Sequence, residues 1–145
     1  MSTLYEADFY AWTQRQAELL RAEEFSEVDW NNLIEEIETL GRSERKEIKS
    51  RLVVLIMHLL KWQYQPELQS RSWAATIAVQ RDDLAALFAD NPSLQAQLAE
   101  FVSSVYPRAV KRAVQETGLS ATSFPILCPY GAEQIMDDEF WPSAE

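Results

Sequence analysis

The sequence predicts an all-α fold. We expect a bundle of about five helices around a long central hydrophobic helix at about 43–65, followed by an irregular segment and a short helix that wrap the bundle. The 145 residues include only three glycines and are 47% hydrophobic, which is typical of a globular chain. Alanine, leucine, glutamate and glutamine are abundant, and each favours helix. Apolar residues also recur at helical spacing in most segments.

The central helix is the most clearly predicted element. Between Leu52 and Leu60 every residue is apolar except His58, and no turn signal interrupts residues 43–65. Pro66 ends the helix, because the residue before a proline is pushed out of the α region. The apolar run is too short for a bilayer, which needs about 20 such residues. A helix that is apolar nearly all round is a core helix instead.

The remaining helices follow from apolar spacing and end signals. They are predicted at 8–22, 30–40, 73–89, 93–117 and 132–136. Asp29 caps the second of these and Ser70 or Ser72 the third, by accepting a backbone N–H bond. Pro107 removes one backbone hydrogen bond inside its helix, so a kink is expected there. Gly118 is a natural left-handed stop.

The 30–40 helix is predicted to carry an apolar face. Its members are Leu33, Ile34, Ile37 and Leu40. Gly41 either ends this helix or marks a kink before the central one. A single bent helix across residues 30–65 also fits the sequence.

Residues 1–145 are predicted to form one domain, with the helical bundle at 1–118 and a wrapping tail at 119–145. The tail has too many apolar residues for a free segment: Phe124, Ile126, Leu127, Tyr130, Ile135, Phe140 and Trp141. We expect it to fold back over the bundle. The alternative is that these side chains contact a second subunit.

The net charge of −10 is unevenly spread. Residues 1–40 have a net charge of −8, residues 41–81 of +5 and residues 119–145 of −5. Either the acidic first segment neutralises the basic middle, or the basic middle faces an anionic ligand or partner. Nucleic acid is not the expected partner, because general nucleic-acid binding usually shows as a basic domain.

The sequence fits a cytoplasmic protein with no membrane span. The first residues, MSTLYEADFY, lack the basic region and hydrophobic core of a signal peptide. The single cysteine, Cys128, excludes an internal disulfide and a CxxC metal site.

The candidate catalytic residues are Arg51 and His58. With Glu44 and Gln65 they lie seven apart, close to one face of the central helix. The ordinary interpretation is a polar edge on a buried helix. The functional interpretation is that the arginine holds a phosphate while the histidine moves a proton near pH 7.

The candidate binding residues surround the turn after Pro66. They are Lys61, Trp62, Tyr64, Arg71 and Trp73. A cation on an aromatic face contributes ~0.5–2 kcal/mol. These residues either bind a ligand or only pin the turn.

The candidate metal ligands are Glu35, Glu38 and His58. Carboxylates one turn apart on one helix, facing a histidine on another, can bind iron or manganese. Di-metal bundles use Glu-x-x-His repeats, and this chain has none. Solvated acids near a helix start are the ordinary explanation, and no cofactor is expected.

Several stretches resemble a known family. They are DFYAW at 8–12, LIEEIETLGRSE at 33–44, HLLKWQYQPE at 58–67, SRSWAATI at 70–77 and FPILCPY at 124–130. In this order they resemble a bacterial family catalogued as domain of unknown function 29, abundant in photosynthetic bacteria. The resemblance covers nearly the whole chain and implies an all-helical protein. It supplies no catalytic residue, because the family has no established activity.

A second resemblance concerns one spacing. The HEPN ribonucleases, also small helical bundles, cut RNA without metal using an arginine and a histidine separated by four to six residues. Arg51 and His58 are separated by six. The resemblance would give the histidine acid–base chemistry on the ribose hydroxyl and the arginine the phosphate. The pair here lies mid-helix in an apolar run, and Leu52 stands where that family commonly has a polar residue.

The leading hypothesis is a helical-bundle protein that acts by binding, as a homo-oligomer or as an adaptor for a protein partner, and not as an enzyme. No complete catalytic set is visible, and the apolar residues exceed what the main helices use. The alternatives are a metal-independent ribonuclease using Arg51 and His58, and a metal-binding enzyme using Glu35, Glu38 and His58.

Overall fold

A computed structural model describes residues 3–144, which form seven α-helices and no strand. The helices are α1 Thr3–Ala7, α2 Phe9–Arg21, α3 Trp30–Tyr64, α4 Arg71–Asp90, α5 Pro92–Gln95, α6 Leu98–Thr117 and α7 Ala132–Met136. Short 3-10 turns occur at Phe25–Glu27, Pro66–Leu68 and Ala121–Ser123. The all-α prediction is confirmed. The predicted helices at 30–40 and 43–65 are one helix, whereas the predicted helix at 93–117 is divided into α5 and α6.

Contacts along the chain define two compact units. Unit 1 is Met1–Ser43, with α1, α2 and the start of α3. Unit 2 is Glu44–Glu145, with the rest of α3, α4 to α7 and the tail. The organisation of the whole chain as one domain stays a prediction.

Unit 1 is a helical hairpin fixed by Asp29. The carboxylate of Asp29 accepts hydrogen bonds from Asn32 Nδ2 at 2.8 Å and from Trp12 Nε1 at 3.0 Å. Its backbone N–H donates to Gln16 Oε1 at 2.8 Å. The bonds from the Asn32 side chain, and then those from Trp12 and the Asn32 backbone, lower the pKa of Asp29. Asp29 therefore caps α3 as predicted, because its carboxylate accepts hydrogen bonds from Asn32 in the first turn of the helix.

The core of unit 2 is the second half of α3. Its fully buried side chains are Ile48, Leu52, Val53, Leu55, Ile56, Leu59 and Leu60. The surrounding elements contribute Ile77, Leu84 and Phe88 from α4 and Phe101, Val105, Ala109 and Ala113 from α6. Burying one such large apolar side chain stabilises the fold by about 1.5–3 kcal/mol. The predicted central hydrophobic helix is confirmed.

Local signals end the helices of unit 2 as the sequence predicts. The Ser70 side chain accepts the N–H of Trp73 at 3.2 Å and caps α4. Gly118 ends α6 in the left-handed region, with φ 76. α6 continues as helix through Pro107, which has no N–H to give to the Ser103 carbonyl.

The tail packs onto unit 2 through three buried residues, Phe124, Tyr130 and Ile135. The Tyr106 hydroxyl of α6 donates to the Pro125 carbonyl at 2.7 Å. The Tyr130 hydroxyl reaches α3, lying 2.7 Å from Gln63 Oε1 and 3.2 Å from the Leu59 carbonyl. At these positions the tail wraps the helices, as predicted.

A buried arginine also holds the tail. Arg81 of α4 is 2% exposed. Its Nε donates to the Ile135 carbonyl at 2.8 Å, and its Nη2 donates to the carbonyls of Phe140 at 2.9 Å and Gln134 at 3.3 Å. Its guanidinium carbon lies 5.6 Å from the ring centroid of Trp141. One side chain therefore supplies donors to three tail carbonyls.

No helix within residues 3–144 is both long enough and apolar enough to cross a membrane.

We expect Arg81→Ala to lower the free energy of unfolding by about 2–4 kcal/mol, because it leaves the buried Ile135 carbonyl and the part-buried Gln134 and Phe140 carbonyls without this donor. Urea unfolding monitored by circular dichroism measures the loss. Arg71→Ala is the matched control, since Arg71 lies on the same helix but is exposed; we expect its effect to stay within about 0.5 kcal/mol. Equal losses in the two variants would show that the buried hydrogen bonds do not hold the tail.

Candidate functional site

Arg51 is already engaged by carboxylates. Its Nε lies 3.0 Å from Glu47 Oε2 and its Nη1 lies 2.8 Å from Asp83 Oδ2. Nη1 also donates to Gln80 Oε1 at 3.2 Å. The guanidinium links α3 to α4, and a phosphate bound by Arg51 would have to displace these acids.

His58 is half-buried with one ring nitrogen fixed. Its Nδ1 lies 2.8 Å from the Val54 carbonyl one turn earlier. A carbonyl only accepts, so Nδ1 carries the proton and Nε2 is the free acceptor. Burial lowers the pKa of His58, and the nearby charge of Lys61 lowers it further, against the opposing effects of the Val54 bond and Glu116. His58 is therefore neutral at pH 7.

The two candidate catalytic residues have separate partners. Arg51 binds acids of α3 and α4, whereas His58 binds its own helix. Seven residues of helix correspond to a rise of about 10 Å between them. A ribonuclease activity using this pair stays a prediction.

The candidate binding residues form contacts inside unit 2. Lys61 is buried, with its Nζ 2.8 Å from Glu116 Oε1 and 4.6 Å from the ring centroid of Trp73. The hydrogen bond from Lys61 is the main cause that lowers the pKa of Glu116. The expected cation–aromatic contact is thus present, and the Lys61 ammonium is also paired with Glu116 of α6.

The other candidate binding residues do not join the contact between Lys61 and Trp73. The ring centroids of Trp62 and Trp141 lie 4.7 Å apart, and those of Tyr64 and Phe124 lie 5.2 Å apart. Both pairs join α3 to the tail. Arg71 is exposed. The structure therefore brings Lys61 and Trp73 together and uses Trp62 and Tyr64 to hold the tail.

The metal hypothesis required a histidine on a second helix facing the glutamates. Glu35, Glu38 and His58 all lie on α3. Glu35 lies 3.2 Å from Arg42 in an exposed ion pair. Throughout the described residues, no group of three or more His, Cys, Asp or Glu side chains is placed to hold a metal ion.

Unit 1 exposes an apolar stripe on the first half of α3. It comprises Trp30, Ile34, Ile37 and Leu40, which are 46%, 51%, 59% and 69% exposed. Spacings of four, three and three residues place them along one side of the helix. Ile34, Ile37 and Leu40 belong to the apolar face that the sequence predicts, and the structure leaves all three exposed. Helical periodicity identified the face but not its solvent exposure.

Unit 2 has its own exposed apolar feature, the tail ridge of Ile126 and Leu127. These side chains are 94% and 80% exposed, so the tail does not cover the bundle with these two residues. Cavities of about 330 Å³ and 430 Å³ lie beside the ridge, and Tyr106, Pro107 and Ile126 line both. A further cavity of about 490 Å³ lies among α4, α6 and α7. Arg51 and His58 line none of these three cavities.

The fold and these surfaces define an all-helical protein with exposed apolar faces on both units. The sequence model of a family described as domain of unknown function DUF29 matches residues 4–141. The chain belongs to this family, for which no function is assigned. No curated protein and no solved structure matches the chain.

We expect His58 to make the fold less stable as the pH falls. Its pKa in the folded protein lies below the unfolded value of about 6.5. At a pH between these two pKa values, the unfolded chain binds more protons than the folded chain. The contribution of neutral His58 to the free energy of unfolding is therefore fully present above about pH 6.5 and is lost as the pH falls toward the pKa of the folded protein. The measurement is urea unfolding at pH 7.5 and 5.5, for the wild type and for His58→Gln.

The variant serves as the control, because it has no titrating ring and His58 is the only histidine in the sequence. The wild type should lose more stability than His58→Gln between these pH values. Equal losses would contradict a lowered pKa.

Proposed function

We propose that this protein acts by binding in the cytoplasm, and that it self-associates through the apolar stripe of unit 1. The observation that carries the proposal is the exposure of Trp30, Ile34, Ile37 and Leu40 on one face of α3. Scattered exposed apolar residues are ordinary, but a contiguous apolar face typically marks an interaction site.

The stripe begins with a tryptophan held in a fixed orientation. Trp30 Nε1 donates to the Phe25 carbonyl at 2.9 Å. The Phe25 ring centroid lies 6.4 Å from that of Trp30, and Phe25 is itself 48% exposed. Tryptophan is among the residues that contribute most to protein interfaces. A side chain already fixed by a hydrogen bond loses less freedom when a partner covers it.

The size of unit 1 also supports an additional partner surface. Its buried apolar residues are Trp12, Leu19 and Val28. Helical segments near 40 residues long usually need support beyond their own core. Within unit 2, Phe140 packs against Tyr130 and Trp141 packs against Trp62, although Trp141 stays 38% exposed. The apolar stripe of unit 1 is the surface that we propose for the partner.

The cytoplasmic location is supported by the cysteine chemistry. Cys128 is a free, half-buried thiol, and its burial raises its pKa. A thiol of this kind behaves as a small apolar side chain. The ribonuclease alternative gains no support from the geometry, since the Arg51 charge is occupied by Glu47 and Asp83.

We expect the wild-type protein to sediment as an oligomer at micromolar concentrations and Ile34→Lys to weaken the association at least about tenfold, equivalent to about 1.4 kcal/mol. A lysine at this position would bring a strongly hydrated charge into a buried apolar contact. Sedimentation equilibrium over a concentration series measures the change.

Val79→Lys is the matched control. Val79 is 52% exposed on α4, and Ile34 is 51% exposed on α3. This variant should associate like the wild type, and far-UV circular dichroism should show that both variants are helical. A wild-type chain that stays monomeric at 100 µM would refute the proposed function.

A further inference from the structure

We infer that a hollow between α6 and the tail binds a small uncharged molecule with an apolar body and a hydrogen-bond donor. The hollow is the cavity of about 330 Å³ beside the tail ridge, and we call it the α6–tail hollow. It lies entirely within unit 2. The inference goes beyond the proposed self-association, because it does not involve the apolar stripe of unit 1.

One face of α6 forms the first wall of the hollow. The residues of this wall are Ala99, Val102, Ser103, Tyr106 and Pro107. Residues three and four apart lie on the same side of a helix, so these five share one face of α6. The opposite wall comes from residues between 126 and 132. The tail is fixed there, because Tyr130 is buried and its hydroxyl lies 2.7 Å from Gln63 Oε1.

The walls of the hollow are uncharged. No Asp, Glu, Lys, Arg or His side chain of the described residues lines it, whereas Glu133 and Asp137 line the cavity of about 490 Å³. Burial raises the pKa of the Cys128 thiol in the wall, so this group is also neutral at pH 7. A charged ligand would lose water here without gaining an opposite charge. The lining therefore selects an uncharged molecule.

Pro107 leaves a backbone acceptor at the wall of the hollow. A helix carbonyl normally accepts the N–H four residues later. For Ser103 that residue is Pro107, which has no N–H. Ser103 and Pro107 both line the hollow, so the carbonyl between them lies at its wall. No backbone N–H of another element within residues 3–144 donates to this carbonyl. A ligand with an O–H or N–H group can supply the missing donor.

The size of the hollow and its boundary favour a compact molecule over a long chain. Small-molecule pockets have volumes of about 300–1,000 Å³. The neighbouring cavity of about 430 Å³ shares Tyr106, Pro107 and Ile126 with the hollow, so these residues separate the two. The Tyr106 hydroxyl donates to the Pro125 carbonyl at 2.7 Å at this boundary. A peptide or acyl chain through both cavities would have to pass this hydrogen bond, whereas a compact molecule fits one hollow.

A matched pair of probes, 2-naphthol and 2-methoxynaphthalene, tests the inference. Both are uncharged at pH 7 and have the same apolar body, but only 2-naphthol has an O–H donor. We expect the wild type to bind 2-naphthol about 2–10-fold more tightly, which corresponds to the net contribution of one hydrogen bond. Titrations followed by the amide chemical shifts of the protein in NMR measure both affinities. The shifts should concentrate in residues 99–107 and 126–132.

Pro107→Ala tests the acceptor. Alanine restores the N–H that bonds to the Ser103 carbonyl, so the helix itself then occupies this acceptor. The ratio of the two affinities should fall to about one. Because the readout is a ratio, a change in the shape of the hollow that affects both probes equally does not alter it. Alanine also favours helix, and far-UV circular dichroism should show that the variant is folded.

Ser103→Phe tests the location, with Ser104→Phe as its matched control. Both serines are exposed on α6, but Ser103 lines the hollow and Ser104 lines none of the three cavities. A phenylalanine at position 103 would fill the hollow, so both probes should bind at least about tenfold more weakly. Ser104→Phe should bind them like the wild type.

Several results would overturn the inference. One is the absence of saturable binding of 2-naphthol to the wild type below about 5 mM. Equal affinities of the wild type for the two probes, or an unchanged ratio in Pro107→Ala, would show that the Ser103 carbonyl does not bind the donor. Chemical shift changes confined to residues 30–40 would place the probes on the apolar stripe instead. Weaker self-association of Ser103→Phe without any probe binding would assign the hollow to the interface between copies.

Discussion

Exclusion of water from the second half of α3 is the constraint on which unit 2 depends. Ile48, Leu52 and Leu55 have no exposed surface, and neither have Ile56, Leu59 and Leu60. A helix that is apolar on nearly every side must be covered on nearly every side, so α4, α6 and the tail all pack against it. His58 is tolerated in this run because its Nδ1–H donates a hydrogen bond to the Val54 carbonyl of the same helix.

Interactions within a few residues were predictable from the sequence. The Ser70 cap, the left-handed Gly118 and the apolar centre of α3 follow from residue type and spacing alone. The bonds that join Arg81 to the Ile135 carbonyl and Lys61 to Glu116 span 54 and 55 residues. No pattern within a few residues of the sequence predicts these long-range contacts. Buried charged residues were for this reason the least predictable part of the core.

The contacts of the candidate residues could not be predicted for a related reason. Residue type indicated that Arg51 can bind a phosphate, but its actual partner Asp83 lies 32 residues away in sequence. Spacing showed that Ile34 and Ile37 share an apolar face of the helix. The same spacing occurs in a face that the rest of the chain covers and in a face that is exposed to solvent. Only the exposed fractions of these side chains distinguish the two cases, and these fractions show that the stripe is exposed to solvent.

The Arg81 contacts also set an order of events when the chain is made. The guanidinium lies in α4, but the carbonyl of Phe140 that it binds comes 59 residues later. At about 5–20 residues per second, a ribosome needs roughly 3–12 s to add that length. Until then the Arg81 guanidinium lacks the Phe140 carbonyl as an acceptor, and α3 lacks the cover that the tail supplies. Unit 2 can therefore complete these contacts only after Phe140 has been added to the chain.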